Sequence, residues 1–110
     1  MSSIATVPAI VRRYFELAPS QDTEAYFALF APDALVEDEG VEHHGIAAIR
    51  AWRTEVPLVS YEITDVEPTR TGVTVTTTIT GDFPGSPFAG LKFHFEDIEG
   101  DMIRQLRIRP

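Results

Sequence analysis

The chain carries two hydrophobic periods in succession. Val7, Ile10, Val11, Tyr14, Phe15 and Ala18 recur at helical spacing, with Arg12, Arg13 and Glu16 between them. That spacing gathers the apolar set on one face of an amphipathic helix. Pro8 suits its first turn, where a missing N–H costs nothing, and Pro19 and Ser20 end it. Asp22 is placed to cap a second, shorter helix carrying Tyr26, Phe27 and Leu29 inward, with Phe30 closing the helical hairpin. After Pro32 and Asp33, the run Ala34–Glu39 alternates as a strand up to Gly40, and Val41–His44 reads as its return. A third helix is predicted from Gly45, with Ile46, Ile49 and Trp52 on one face.

Beyond Pro57 the period becomes two. Val59, Tyr61 and Ile63 alternate with Ser60, Glu62 and Thr64, while Val73, Val75, Thr77 and Ile79 alternate with a row of threonines. Leu91, Phe93 and Phe95 then oppose Lys92, His94 and Glu96, and a last strand is predicted over Met102–Arg109. β-branched and aromatic residues fit such half-buried pleated surfaces. Helices first and an antiparallel meander afterwards describe an α+β domain. Its helices would lie on one face of a strongly curved, mixed or antiparallel sheet, making a cone with a pocket.

Composition narrows the picture without changing it. At 110 residues, with 44% hydrophobic and 24% charged positions, the chain reads as one globular domain spanning residues 1–110 and not as a disordered or fibrous one. No repeat, low-complexity tract or linker divides it. The absence of cysteine removes disulfide scaffolds, Cys-type zinc sites and thiol nucleophiles. Nine Lys and Arg against 17 Asp and Glu give a net charge of −8, a field that repels nucleic acid and anionic membrane surfaces. Met1–Thr6 lacks the basic and apolar regions of a leader, and no apolar run approaches the roughly 18 residues of a membrane span. The default expectation is a cytoplasmic protein that contacts neither nucleic acid nor membrane.

Candidate chemistry begins with strand parity. In Ala34–Glu39, Ala34, Val36 and Asp38 share one face and Leu35, Glu37 and Glu39 the other. If the Ala34 face looks inward, Asp38 is a carboxylate among apolar neighbours, suited to proton abstraction. If the Leu35 face does, Asp38 is a solvated side chain in the acidic run Glu37, Asp38, Glu39, Glu42. Tyr14, on the apolar stripe of the first helix, is either a core tyrosine with its hydroxyl on a backbone carbonyl or a donor into the enclosed space. Trp52, Phe88, Leu91, Phe93 and Val36 are the expected pocket lining, and as aromatic or aliphatic residues they serve equally as core. His43 and His44 are adjacent and point to opposite faces of a strand, which does not make a two-histidine metal site. Glu39, Glu42 and His44 could at most collect a surface cation. Gly85-Ser86-Pro87 is a turn, not a nucleophile elbow, and no glycine-rich loop has nucleotide-binding spacing. Arg104, Arg107 and Arg109 have abundant carboxylates to pair with.

The stretch VRRYFELAPSQDTEAYFALFAPDALVEDEG, followed by HHGIAAIRAW, resembles the NTF2-like (cystatin-like) superfamily in its SnoaL-like and ketosteroid-isomerase branch. The resemblance runs from Ile10 to Trp52 and continues more loosely to Leu106. It implies the cone fold and a homodimer packed through the curved sheet. It also implies Asp38 in the position of the general base and Tyr14 in that of the oxyanion-stabilising tyrosine, a pairing that serves as a worked example of carboxylate tuning. The family's second, protonated acid has no counterpart: its position falls on Leu91, or on Lys92 if the following hairpin lacks an extra residue. The reaction implied is cofactor-independent proton transfer on a hydrophobic carbonyl compound, of isomerase or polyketide-cyclase type. The alternative is a hydrophobic-ligand-binding or accessory domain without catalysis. His94 would add an acid/base group only if its strand face turned inward.

Overall fold

In the computed structural model, which describes residues 8–20, 22–56, 58–98 and 102–110, helix α1 (Ala9–Leu17) buries Ile10, Val11 and Tyr14 against the sheet. Val7, Met1–Thr6 and Pro57 lie outside the described residues. Helix α2 (Thr23–Phe27) begins as its sequence requires, with the Asp22 carboxylate accepting from the Ala25 amide at 3.2 Å. That bond satisfies one of the N–H groups a helix start leaves without an intrahelical partner. Helix α3 (Gly45–Glu55) buries Ile49, Trp52 and Arg53.

Six strands form one open, mixed sheet: β1 (Phe30–Asp38), β2 (Val41–His44), β3 (Val59–Pro68), β4 (Val73–Gly81), β5 (Phe88–Glu96) and β6 (Ile103–Arg109), in the order β2-β1-β6-β5-β4-β3. One feature corrects the sequence reading. Strand β1 starts at Phe30 and not at Ala34, because Phe30 pairs with Ile103 while a register shift before Leu35 absorbs Pro32 and Asp33, which are exposed. Phe30 therefore opens a strand instead of closing the helical hairpin. The sheet is mixed, as expected: the meander is antiparallel from β3 to β6, and β1 and β6 pair in parallel, a contact between distant segments.

Register shifts decide which side chains face the helices. In β3 the partner sequence steps from Ile63↔Thr77 to Asp65↔Thr76, leaving Thr64 as the extra residue. The parity that turns Val59, Tyr61 and Ile63 inward is thereby reset so that Val66 is also buried. In β5 the ladder steps from Thr77↔Leu91 to Thr78↔Ala89 around Gly90, whose φ of +88° is left-handed. That is the glycine conformation found in β-bulges, which bend a strand and sharpen its twist. Past the bulge, Leu91, Phe93 and Phe95 face inward, and Phe88 on its other side reaches the same cavity.

The core between helices and sheet is dominated by rings and β-branched residues, with Val11, Val36, Ile49, Val75, Phe95, Ile103 and Leu106 fully buried. Thr77 is equally buried, its hydroxyl donating to the Leu91 carbonyl at 3.0 Å. On the other face, Glu37 is clamped by Arg107, its partner in the β1·β6 register, and by Arg109 at 2.8 Å. These hydrogen bonds, Arg109 foremost, hold the Glu37 carboxyl below the usual range. The C-terminal arginines thus pair with carboxylates, as their company predicted.

Candidate functional site

The inward face of β1 is the Ala34 face. Ala34 and Val36 are fully buried and Asp38, at the end of the same row, is half-buried at the wall of a half-open cavity of about 690 Å³. The cavity lies between α1, α3 and the concave side of β3–β6, closed on one side by Phe83 and Pro84 of the β4–β5 loop. Tyr14, Trp52, Phe88, Leu91 and Phe93 all line it. Val36 does not: it packs in the core two residues before Asp38, where β6 covers it through the Val36↔Leu106 pair. Leu91 and not Lys92 faces the cavity, because the extra residue of the Gly90 bulge fixes the parity; Lys92 is exposed. His94 points away from the cavity, its Nδ1 at 2.9 Å from the Thr74 hydroxyl.

Asp38 is held by a neighbour from another element. The indole nitrogen of Trp52 donates to Asp38 Oδ2 at 3.1 Å, which orients the carboxylate across the wall of the cavity. The His43 ring lies 6.0 Å from the Trp52 ring, so this histidine meets an aromatic partner. His44 turns outward to Glu42 at 3.1 Å. Among the described residues, no cluster of three or more His, Cys, Asp or Glu is placed to hold a metal ion.

Tyr14 sits at the centre of an aromatic nest with Phe15, Tyr26, Phe30, Phe93 and Phe95, their ring centroids 5.1 to 6.3 Å away. Its hydroxyl lies 3.3 Å from that of Tyr26, a hydrogen bond in which either phenol can donate. When Tyr26 donates, the Tyr14 proton is free to point to a ligand. Burial drives the Tyr14 phenol well above its ordinary range, reinforced by Tyr26 and Tyr61 and opposed by Arg53. Burial likewise pushes Tyr26 up to about 12, against the lowering effects of its bond to Tyr14 and of Arg53. Both therefore stay neutral, as hydrogen-bond donors must. Tyr61, the third tyrosine, also lines the cavity and is raised by burial, with Arg53 pulling it down and Asp38 pushing it up.

Arg53 is the site residue that the sequence reading missed. It lies in the last turn of α3, is only 9% exposed, stacks its guanidinium 4.4 Å from the Tyr26 ring centre and donates to the Ala18 carbonyl. The available signal was spacing: Arg53 follows Ile49 by four residues, on the same face as the buried stripe of α3.

The fold has known counterparts. The sequence pattern of the SnoaL-like domain matches residues 11–105. The chain belongs to this SnoaL-like family. A candidate polyketide cyclase from Sinorhizobium meliloti is similar at 34% identity and a TM-score of 0.85, over 96% of this chain and 97% of that one. A protein with a ketosteroid isomerase-like fold from Catenulispora acidiphila, in complex with trimethylamine, shares 22% identity at a TM-score of 0.78 and covers 94% and 86%. A Delta 5-3-ketosteroid isomerase from Mycobacterium sp. shares 20% identity at 0.75, over 93% and 90%. At those two lower identities the likeness is one of fold. No curated protein sequence matches the chain. Among the described residues, no helix is long and apolar enough to cross a membrane.

Proposed function

We propose that this SnoaL-like domain catalyses cofactor-independent proton transfer on a hydrophobic carbonyl compound, with Asp38 as the base and Tyr14 as the oxyanion donor. The observation that carries this reading is that a carboxylate and a neutral phenol, each oriented by a second side chain, line one largely apolar cavity. Asp38 takes the proton from the carbon alpha to the carbonyl and, in the isomerisation, gives it back at the gamma carbon of the dienolate, which restores the carboxylate. Negative charge then develops on the carbonyl oxygen, where a fixed donor stabilises it more than the neutral ketone and so lowers the barrier. Apolar walls exclude water and strengthen that interaction. The similarity to a candidate polyketide cyclase supports this chemistry.

Turnover of a β,γ-unsaturated cyclic ketone to its conjugated isomer, followed by ultraviolet absorbance, tests the reading. Asp38→Asn is expected to lower kcat by about 100-fold or more, the usual contribution of a positioned base, with ligand affinity within about twofold. Unchanged turnover overturns it.

A second reading, ligand binding without catalysis, is favoured by Leu91, which occupies the wall where the resembling isomerases carry a second acid. It predicts tight binding of the same ketone with no conversion by the wild-type protein. The homodimer implied by the family belongs with either reading; a sedimentation mass of one chain overturns it.

A further inference from the structure

Arg53 is a cation with more donors than the protein uses. A guanidinium carries five N–H groups and keeps its charge at any working pH. Among the described residues, the Ala18 carbonyl accepts one of them, the Tyr61 hydroxyl stands close enough to accept another, the Tyr26 ring lies beneath the plane, and no Asp or Glu is within ion-pair distance. Yet the residue is 9% exposed and borders the cavity. Charge removed from water without a counter-ion is unfavourable. The helix end explains only part of this, because Ala18 closes α1 and a cation there complements the α1 dipole with a single N–H.

We propose that Arg53 is the anion-binding group of the cavity and that the natural ligand is a hydrophobic carboxylate. The inference rests on the cavity being the ligand site of the proposed function. The carboxylate completes the Arg53 ion pair, and the apolar body of the ligand runs along Phe93 and Leu91 toward Asp38. Tyr61, within electrostatic reach of both Arg53 and Asp38, stands beside that path. The net charge of −8 does not forbid an anion here: Glu39 and Glu55 on the cavity wall are exposed and screened by water and salt, whereas the desolvated Arg53 acts at short range.

The test compares 2-naphthoate with 2-naphthamide, which share a ring body and differ in charge. Trp52 is the single tryptophan, so the protein has one indole N–H resonance. It lines the cavity but not the shallower groove beside α2 that Arg53 also borders, and so it reports the cavity alone. Titration is expected to show naphthoate binding about tenfold or more tighter than naphthamide. Arg53→Lys should keep part of that preference, and Arg53→Met should reduce it to within about twofold while naphthamide still binds. Equal binding of the two by the wild-type protein, no binding of either at 10-fold excess over ~1 mM, the affinity scale of a weak complex, or a preference that survives in Arg53→Met overturns the proposal. The wild-type comparison stands even if a variant fails to fold. It does not depend on turnover: an active Asp38→Asn would remove the catalytic reading and leave this one intact.

Discussion

Trp52 Nε1 and Asp38 Oδ2 are 3.1 Å apart, a hydrogen bond that ties the last turns of α3 to the end of β1. The donor comes from a helix and the acceptor from a strand, so the position of the proposed base depends on how the helix packs. In Trp52→Phe the ring volume is largely kept and the donor is lost. A hydrogen bond to a charged group contributes about 1.5–3 kcal/mol, so kcat is expected to fall about tenfold or more in the ketone assay with a native circular dichroism spectrum. An unaltered kcat would show that the bond does not orient Asp38.

Tyr14→Phe removes the proposed oxyanion donor and also the hydrogen-bond partner of the Tyr26 hydroxyl. The expected loss in kcat is about 100-fold, on the scale of single oxyanion donors. Stability should fall by about 1–2 kcal/mol, because a buried hydroxyl loses its partner. Tyr14→Phe/Tyr26→Phe should recover part of the stability and none of the activity. Urea unfolding beside steady-state kinetics separates the two effects.

Alkali should unfold the protein through its tyrosines. Burial raises Tyr14, Tyr26 and Tyr61 in the folded state, Tyr26 to about 12. Between the ordinary phenol value of 10 and those raised values, the unfolded chain has released protons that the folded chain retains. Stability is therefore full below pH 10 and falls as pH rises, by about 1.4 kcal/mol per pH unit for each phenol so affected. Phenolate absorbance at 295 nm should appear together with loss of circular dichroism. A reversible native titration of all three phenols near pH 10 would contradict this.

Gly72→Ala should be among the most damaging single changes outside the cavity. A Cβ at Gly72 would meet the Phe95 carbonyl oxygen at 1.8 Å, and that oxygen belongs to strand backbone. Thr69 holds the turn in place, its amide donating to Gly72 O at 2.9 Å and its hydroxyl accepting from Gly72 N at 3.0 Å. Neither side can yield cheaply, and a loss of about 3 kcal/mol or more is expected in urea unfolding.

Much of this was legible in the residues. Helical spacing located α1 and α3, Asp22 announced its own cap, and alternation located β3 to β6. The side of Asp38 was not legible from β1 alone, because both of its rows mix apolar and acidic residues; the resemblance selected the row that the fold turns inward. What stayed hidden has a common cause in long-range pairing. Thr64 and Gly90 look like ordinary strand residues until a partner strand leaves them unpaired. Phe30 becomes a strand residue only because Ile103 lies beside it. Arg53 reads as a solvated helix end, and it is the packing of α1 and α2 over it that buries the charge.

The bulge at Gly90 divides one strand into two independently addressable halves. Side chains before it are counted in one phase and those after it in another, so Phe88 at the rim and Leu91 at the floor are not bound to the same alternation. Residue 88 can therefore change without altering the phase in which Leu91 and Phe93 meet the cavity.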